Sequence, residues 1–348
     1  MRILLAVDGS RPAERASELV AALPWREGGH VRIVNVAPDR ADLLGVSWMA
    51  PIPLDADQIE KDVLHSHREA LEAAELEIRS ARDDLVIETA LLRGRVASCI
   101  VREAHNMPAD LVVLGHRGHG PWESMLLGSV SAEVVDHAPC PVLVARDERL
   151  GPVIFGDDGS PSARAAEAAM IRWPMFAGVP VTVVSVVEQG YPYASALAPV
   201  LYLDTMAGYA DAMTDHRRVA RETCEATAHR LRDAGFEATA EVRDGDAAHE
   251  LVTCARERGA GLIVIGTRGM SGLRRLVLGS VARNVLLHAE CSVLIVREAA
   301  DKAAGKTAGN AAGEAAGDPG ADRRREPGAT ARSEPGATAR SEPLNAPR

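Results

Sequence analysis

Short runs of apolar, β-branched residues recur along the chain and alternate with longer stretches whose apolar positions repeat at helical spacing. Runs at 2–7, 31–36, 85–91, 110–115 and 141–146 predict strands, and the stretches 11–22, 55–82, 95–106 and 128–137 predict helices. That alternation is the pattern of parallel strands joined by crossover helices. Runs such as ADLVVLG (from Ala109) and GLIVIG (from Gly261) are apolar without alternation, as central strands covered on both faces require.

The pattern then repeats. LLAVDGSRPAERA (from Leu4) returns as IFGDDGSPSARAA (from Ile154), and LVVLGHRG (from Leu111) returns as LIVIGTRG (from Leu262). MLLGSVSAEVVDHAPCPVLVAR (from Met125) returns as LVLGSVARNVLLHAECSVLIVR (from Leu276). The offset is 150 residues for Asp8 to Asp158 and 151 for Gly94 to Gly245, Gly128 to Gly279 and Cys140 to Cys291. Two copies of one α/β domain follow in series, 1–148 and 149–298, each predicted as a doubly wound, Rossmann-like sheet of five parallel strands. From 299 to 348 the composition turns to Ala, Gly, Pro, Arg and Glu, EPGATARS occurs twice from Glu326, and Leu344 is the only large aliphatic residue. Such a tail cannot bury enough apolar surface to offset the cost of ordering and is predicted to be disordered.

Composition narrows the chemistry. Aromatic residues make up 3% of the 348, which leaves little to stack nucleobases on a single-strand-binding face. The net charge is −10, and the body before residue 299 holds 31 basic against 42 acidic side chains, a surface that repels nucleic acid and anionic membranes. The body contains one lysine, Lys61, and no Gly-Lys-Ser/Thr, which removes Walker-type loops and leaves lysine chemistry a single helix position. Five widely spaced cysteines without a C-x2-C pair read as reduced, buried thiols. The start MRILLAVDGS meets Asp8 before a signal-peptide core forms, and no apolar run is long enough to span a bilayer, so the expected location is the cytoplasm, with no membrane partner.

In a doubly wound sheet the ligand site lies beyond the carboxyl ends of the strands, where strand order reverses. At the end of the fourth strand stand Gly115, His116, Arg117 and Gly118, followed after nine residues by Gly128 and Ser129 at the start of a helix. The second copy places Gly266, Thr267, Arg268, Gly269, Gly279 and Ser280 with the same G-x2-G-x9-G-S spacing. Glycines there admit a close backbone approach, and free N–H groups at a helix start, with a hydroxyl beside them, suit a polyphosphate. The plainer reading is loop punctuation with Ser129 as a helix cap. The end of the first strand supplies Asp8-Gly9-Ser10 and Asp158-Gly159-Ser160, whose carboxylates suit ribose hydroxyls or a magnesium ion, or else cap the following helix. Asp157 stands where the first copy has Val7, an added negative charge beside any triphosphate.

The Val-Asp-Gly-Ser start, the glycine signature and the following His-Ala-x-Cys strand together resemble the universal stress protein family, over residues 1–298. The glycine signature is that of the family's ATP-binding branch, of which a tandem arrangement is a known form. The resemblance implies a flavodoxin-like fold of strand order 3-2-1-4-5 and ATP as ligand, with or without Mg2+. It places Asp8 and Asp158 at the ribose or adenine end, with Gly9, Ser10, Gly159 and Ser160 beside them, and the backbone at Val36 and Val186 against the base. Gly115, Gly118, Gly128 and Ser129, with Gly266, Gly269, Gly279 and Ser280, would hold the phosphates, with His116, Val130, Thr267 and Val281 beside them, while Arg117 and Arg268 read equally as phosphate contacts or as surface charges. It also implies pairing through the last strands, PVLVAR and SVLIVR, either within the chain or between chains as a homodimer.

The expected function is that of an ATP-binding regulatory protein of the stress response with no catalytic residues and no resident metal. Apart from His116 and His119 the cradle offers no general base, so slow hydrolysis stays open in the first copy alone. The rivals are an adenylyl-transferring or ATP-hydrolysing enzyme and a nucleotide-free dimerisation module. His116-Arg-Gly-His119 spells the H-x-G-H of nucleotidyl transferases but follows the fourth strand instead of the first. His137 and His288, on helices read as facing a sheet, and Cys140 and Cys291 recur at the repeat offset and read as structural.

Overall fold

In the computed structural model the described residues are 1–25, 28–40, 55–118, 127–188, 202–269 and 278–297, with side chains from 202 to 212 left aside. The predicted tail, His119 and its second-copy counterpart Met270 lie outside them. The first copy runs β1 (Arg2–Ala6), α1 (Arg11–Ala22), β2 (His30–Ala37), α2 (Ala56–Ala81), β3 (Val86–Arg93), α3 (Val96–Asn106), β4 (Leu111–Gly115), α4 (Ser129–His137) and β5 (Val142–Ala145). The second repeats it as β6 (Val153–Gly156), α5 (Pro161–Arg172), β7 (Val181–Val187), α6 (Tyr202–Asp233), β8 (Ala238–Asp244), α7 (Ala247–Glu257), β9 (Leu262–Gly266), α8 (Ser280–His288) and β10 (Ser292–Val296). The fully apolar runs become β4 and β9, which lie inside the sheet with helices on both faces.

The ten strands form one sheet ordered β3-β2-β1-β4-β5-β10-β9-β6-β7-β8, so each copy shows the order 3-2-1-4-5. The two five-stranded sheets expected from sequence are thus fused. Every pairing is parallel except β5 with β10, where Val144, Leu143 and Val142 face Val293, Leu294 and Ile295 antiparallel. The last-strand edges that the resemblance offers for pairing are therefore joined within the chain, which hides both from solvent. Ser292 seals the seam, its Oγ accepting from the amides of Arg146 at 3.1 Å and Asp147 at 3.3 Å.

Each face of the sheet carries one core that runs through both halves. One gathers α1, α2, α5 and α6 around Leu5, Leu19, Phe155 and Phe176, and the other gathers α3, α4, α7 and α8 around Ile100, Val112, Ile263 and Val285. All five cysteines are unbridged and buried, and burial pushes the Cys140 thiol up to about 12 and Cys291 to about 11. Thiols held protonated in this way pack as small apolar groups. His137 and His288 face solvent instead of the sheet, each within hydrogen-bond reach of a carbonyl one turn back, Glu133 and Asn284. Among the described residues no helix is long and apolar enough to cross a membrane.

Candidate functional site

Strand β1 sends its chain to α1 on one face of the sheet, and its neighbour β4 sends its chain to α4 on the other. A crevice opens between two such diverging connections. Both candidate loops border it, and the second half repeats the arrangement with β6 and β9.

In the first loop Asp8 Oδ1 accepts from the Ser10 amide at 3.0 Å and from Ser10 Oγ at 2.5 Å, a turn that Gly9 closes at φ +77°. Ser10 caps α1, its Oγ accepting from the Ala13 amide at 3.4 Å, and lies 3.5 Å from the Arg117 carbonyl across the crevice. In the second half Asp158 Oδ1 accepts from the Ser160 amide at 3.0 Å, Gly159 takes φ +74°, and Ser160 Oγ accepts from Ala163 at 3.1 Å and donates to the Arg268 carbonyl at 3.2 Å. The helix caps are thus the serines, and the aspartates are not caps. Val36 and Val186 stand where β2 and β7 run two residues past their last pairing with β1 and β6, at Ala6–Val34 and Gly156–Val184.

The glycines of the second loop divide their work. Gly115 and Gly266 serve packing: a Cβ there would fall 2.6 Å from the Pro12 backbone or from Ser162 Cβ, so they let α1 and α5 lie close on the strand. Gly118 and Gly269 serve the crevice, where a Cβ would stand 2.2 Å from Asp8 Oδ2 or 2.8 Å from Asp158 Oδ2. Gly128 and Gly279 donate at 2.8 Å to the carbonyls of His116 and Thr267, which folds the helix start back onto the end of the strand. They are also the N-caps of α4 and α8, with no side-chain hydrogen bond to the first turn. The reading of Ser129 as the cap is corrected: Ser129 and Ser280 are the first helical residues, both exposed, with Val130 and Val281 half-buried behind them.

The flanking groups differ between halves. His116 is drawn down to about 4 by burial and by the nearby Arg146, Arg117 and Arg15, so its imidazole is neutral near pH 7. Its counterpart Thr267 is 2% exposed, and its Oγ1 has no hydrogen-bond partner among the described residues. The Asp157 charge does not face the crevice. Successive residues at a strand end point to opposite faces, and Asp157 turns to α6, accepting from Thr227 Oγ1 at 2.7 Å and from the Gly159 amide at 2.9 Å. Arg230 extends this network from Thr227 to Glu167. Burial raises the Asp157 carboxyl above its ordinary range.

Two residues escaped the sequence reading. Arg146 and Arg297, the arginines that end PVLVAR and SVLIVR, lie beside the crevices at the repeat offset of 151. A cavity of about 230 Å³ opens elsewhere, walled by Leu23, Trp25, Trp173 and Met175 with Asp110 and Arg172. It holds none of the candidate residues. The tail's Gly305-Lys306-Thr307 has Ala300 where a P-loop's first glycine belongs, so it is no P-loop.

Comparison with known proteins agrees with this architecture. A universal stress protein from Thermus aquaticus is 35% identical over 144 residues, 41% of this chain and 97% of that protein. The crystal structure of a universal stress protein from Archaeoglobus fulgidus DSM 4304 covers 85% of this chain and 98% of its own at 18% identity, with a TM-score of 0.58. A functionally unknown protein from Pseudomonas aeruginosa PAO1 covers 86% of this chain and 92% of its own, with a TM-score of 0.52 and 18% identity. These structural likenesses speak for the fold alone. The sequence model of the universal stress protein family matches residues 1–146 and again 150–297. The chain therefore belongs to the universal stress protein family, of which it carries two copies in tandem.

Proposed function

We propose that each half binds ATP in its crevice and that occupancy sets the conformation of a non-catalytic regulator of the stress response. One observation carries the reading: in both halves a bare glycine lies against the aspartate of the neighbouring loop, where a Cβ would push the carboxylate aside. That contact, with Ser10 beside the Arg117 carbonyl and Ser160 on the Arg268 carbonyl, brings the two loops together. The residues there suit a triphosphate: a helix start without a side-chain cap, an exposed serine at its first position, and Arg117 or Arg268 beside it. ATP would supply a polyanion whose charge the helix start and the arginines offset, while Asp8 and Asp158 face the sugar end. Magnesium would be held between the phosphates and the carboxylate of Asp8 or Asp158.

Turnover is not part of the proposal. A neutral His116 with a pKa of about 4 is a poor proton carrier near pH 7, and the second half has Thr267 in its place. The negative surface of the body argues against nucleic-acid and membrane partners, and the cytoplasm suits a protein with unbridged cysteines. A homodimer of this chain would have to use a surface other than the β5 and β10 edges, which are already paired. The test is to purify the chain natively, extract and count bound nucleotide, and titrate ATP calorimetrically. Two sites per chain are expected, and a nucleotide-free protein that takes up no ATP overturns the reading.

A further inference from the structure

Each candidate crevice is tied to the opposite half by an arginine. Arg297, which follows β10, sends Nη2 to the carbonyls of Val135 and Asp136 at 2.9 Å each, in the last turn of α4. Arg146, which follows β5, sends Nη2 to the Leu286 carbonyl at 2.7 Å, in the last turn of α8. Val135 and Leu286 are themselves equivalents at the offset of 151, so the two contacts are one contact made twice about a pseudo-twofold axis. A guanidinium at a helix C-terminus satisfies carbonyls that have no partner within the helix and complements the negative end of the dipole. Arg146 is 8% exposed, so this is a built contact and not a surface salt link.

The arginines also connect backward. Residue Val296, one before Arg297, accepts at 3.0 Å from the amide of Thr267, which opens the second half's glycine loop. Residue Ala145, one before Arg146, accepts at 3.1 Å from the amide of His116, which opens the first half's loop. Arg15 adds a hold on the Arg146 carbonyl at 3.1 Å. A continuous path therefore runs from the start of α4 in one crevice, along about 10 Å of helix, through Arg297 and Val296 to the loop of the other crevice. A second path returns along α8, Arg146 and Ala145.

We infer that Arg146 and Arg297 are positioning residues that couple the two crevices, so that ATP bound in one half favours ATP in the other. This rests on the nucleotide reading above. The sign follows from ordering: a ligand at the start of α4 fixes that helix, the fixed carbonyls of its last turn fix Arg297, and the loop it anchors is then already set for the second ligand. The helices act as rods, and neither arginine needs to touch the nucleotide.

The experiment compares chains with one working crevice and two. Gly118→Val and Gly269→Val each close one crevice, and ATP is titrated into the full-length chain by calorimetry. The two-crevice chain is expected to bind about fivefold more tightly on average than either single-crevice chain. Replacing both Arg146 and Arg297 by Met should remove that advantage and leave the single-crevice affinity. Should the double replacement fail to fold, amide exchange in the Gly269→Val chain gives an independent reading: ATP in the first half should slow exchange at Thr267 and Arg268 of the second. Equal affinities in all chains, or unchanged exchange at those amides, overturn the coupling while leaving the nucleotide reading intact. Absence of ATP binding in every chain overturns both.

Discussion

The two halves are built alike and held differently. Both place an aspartate against a glycine across the crevice, cap the first helix with serine, and start the crevice helix at an uncapped glycine. They part company beneath that surface. Leu5 in β1 answers to Phe155 in β6, Val7 to Asp157, and His116 to Thr267. The groups around the crevice repeat, and the packing and polar anchoring behind them vary. One crevice geometry can thus rest on an apolar support in the first half and on a buried hydrogen-bonded network in the second.

The sharpest way to break this comparison is through the core. Leu5 and Phe155 are both fully buried in the same cluster, which spans the seam. Phe155→Ala should cost about 3–5 kcal/mol and Leu5→Ala about 2–5 kcal/mol, read by denaturant unfolding. Because the cluster is shared, either change should move one common transition. Two separate transitions would mean that the halves unfold independently and that the β5–β10 seam transmits nothing.

Much of this architecture was legible from the apolar runs, whose ends fall within two residues of the observed strands in the first half. The fused sheet was not, because PVLVAR and SVLIVR present edges equally suited to a second chain or to each other. The orientation of Asp157 was recoverable by strand parity. Its counterpart Val7 is buried in the core cluster, which assigns position 157 to the core face and 158 to the crevice. Arg146 and Arg297 were visible as repeated arginines, but their role needed the helix ends that only the folded seam brings to them.

A smaller effect sharpens the contrast at Asp157. Asp157→Val installs the first half's residue and strips Gly159 N and Thr227 Oγ1 of their acceptor, an expected loss of about 1–3 kcal/mol. The cost should depend on pH. Burial raises the Asp157 carboxyl in the folded chain, so the folded state holds that proton at a pH where the unfolded chain has released it. The stabilisation from this group is full below the unfolded value and fades as pH rises through the folded one. The penalty of Asp157→Val should therefore be greater at pH 4 than at pH 7, measured by urea unfolding, and a penalty that grows with pH would contradict the assignment.

The first half should respond to acid in the opposite sense, through His116. In the folded chain its imidazole is drawn down to about 4 from an ordinary 6.5, first by burial and then by the charges of Arg146 and Arg117. The folded state then binds fewer protons than the unfolded chain between those values. Its contribution is complete above pH 6.5 and drains away as pH falls toward 4. His116→Thr, which copies Thr267, should flatten this dependence while changing stability little near pH 7, as followed by thermal melts from pH 7 to 4. If the wild type and His116→Thr lose Tm in parallel on acidification, the imidazole is no more desolvated than a surface histidine. The first crevice's difference from the second would then rest on Val7 against Asp157 and on Arg15, which is Ala165 in the other half, and no longer on the ring.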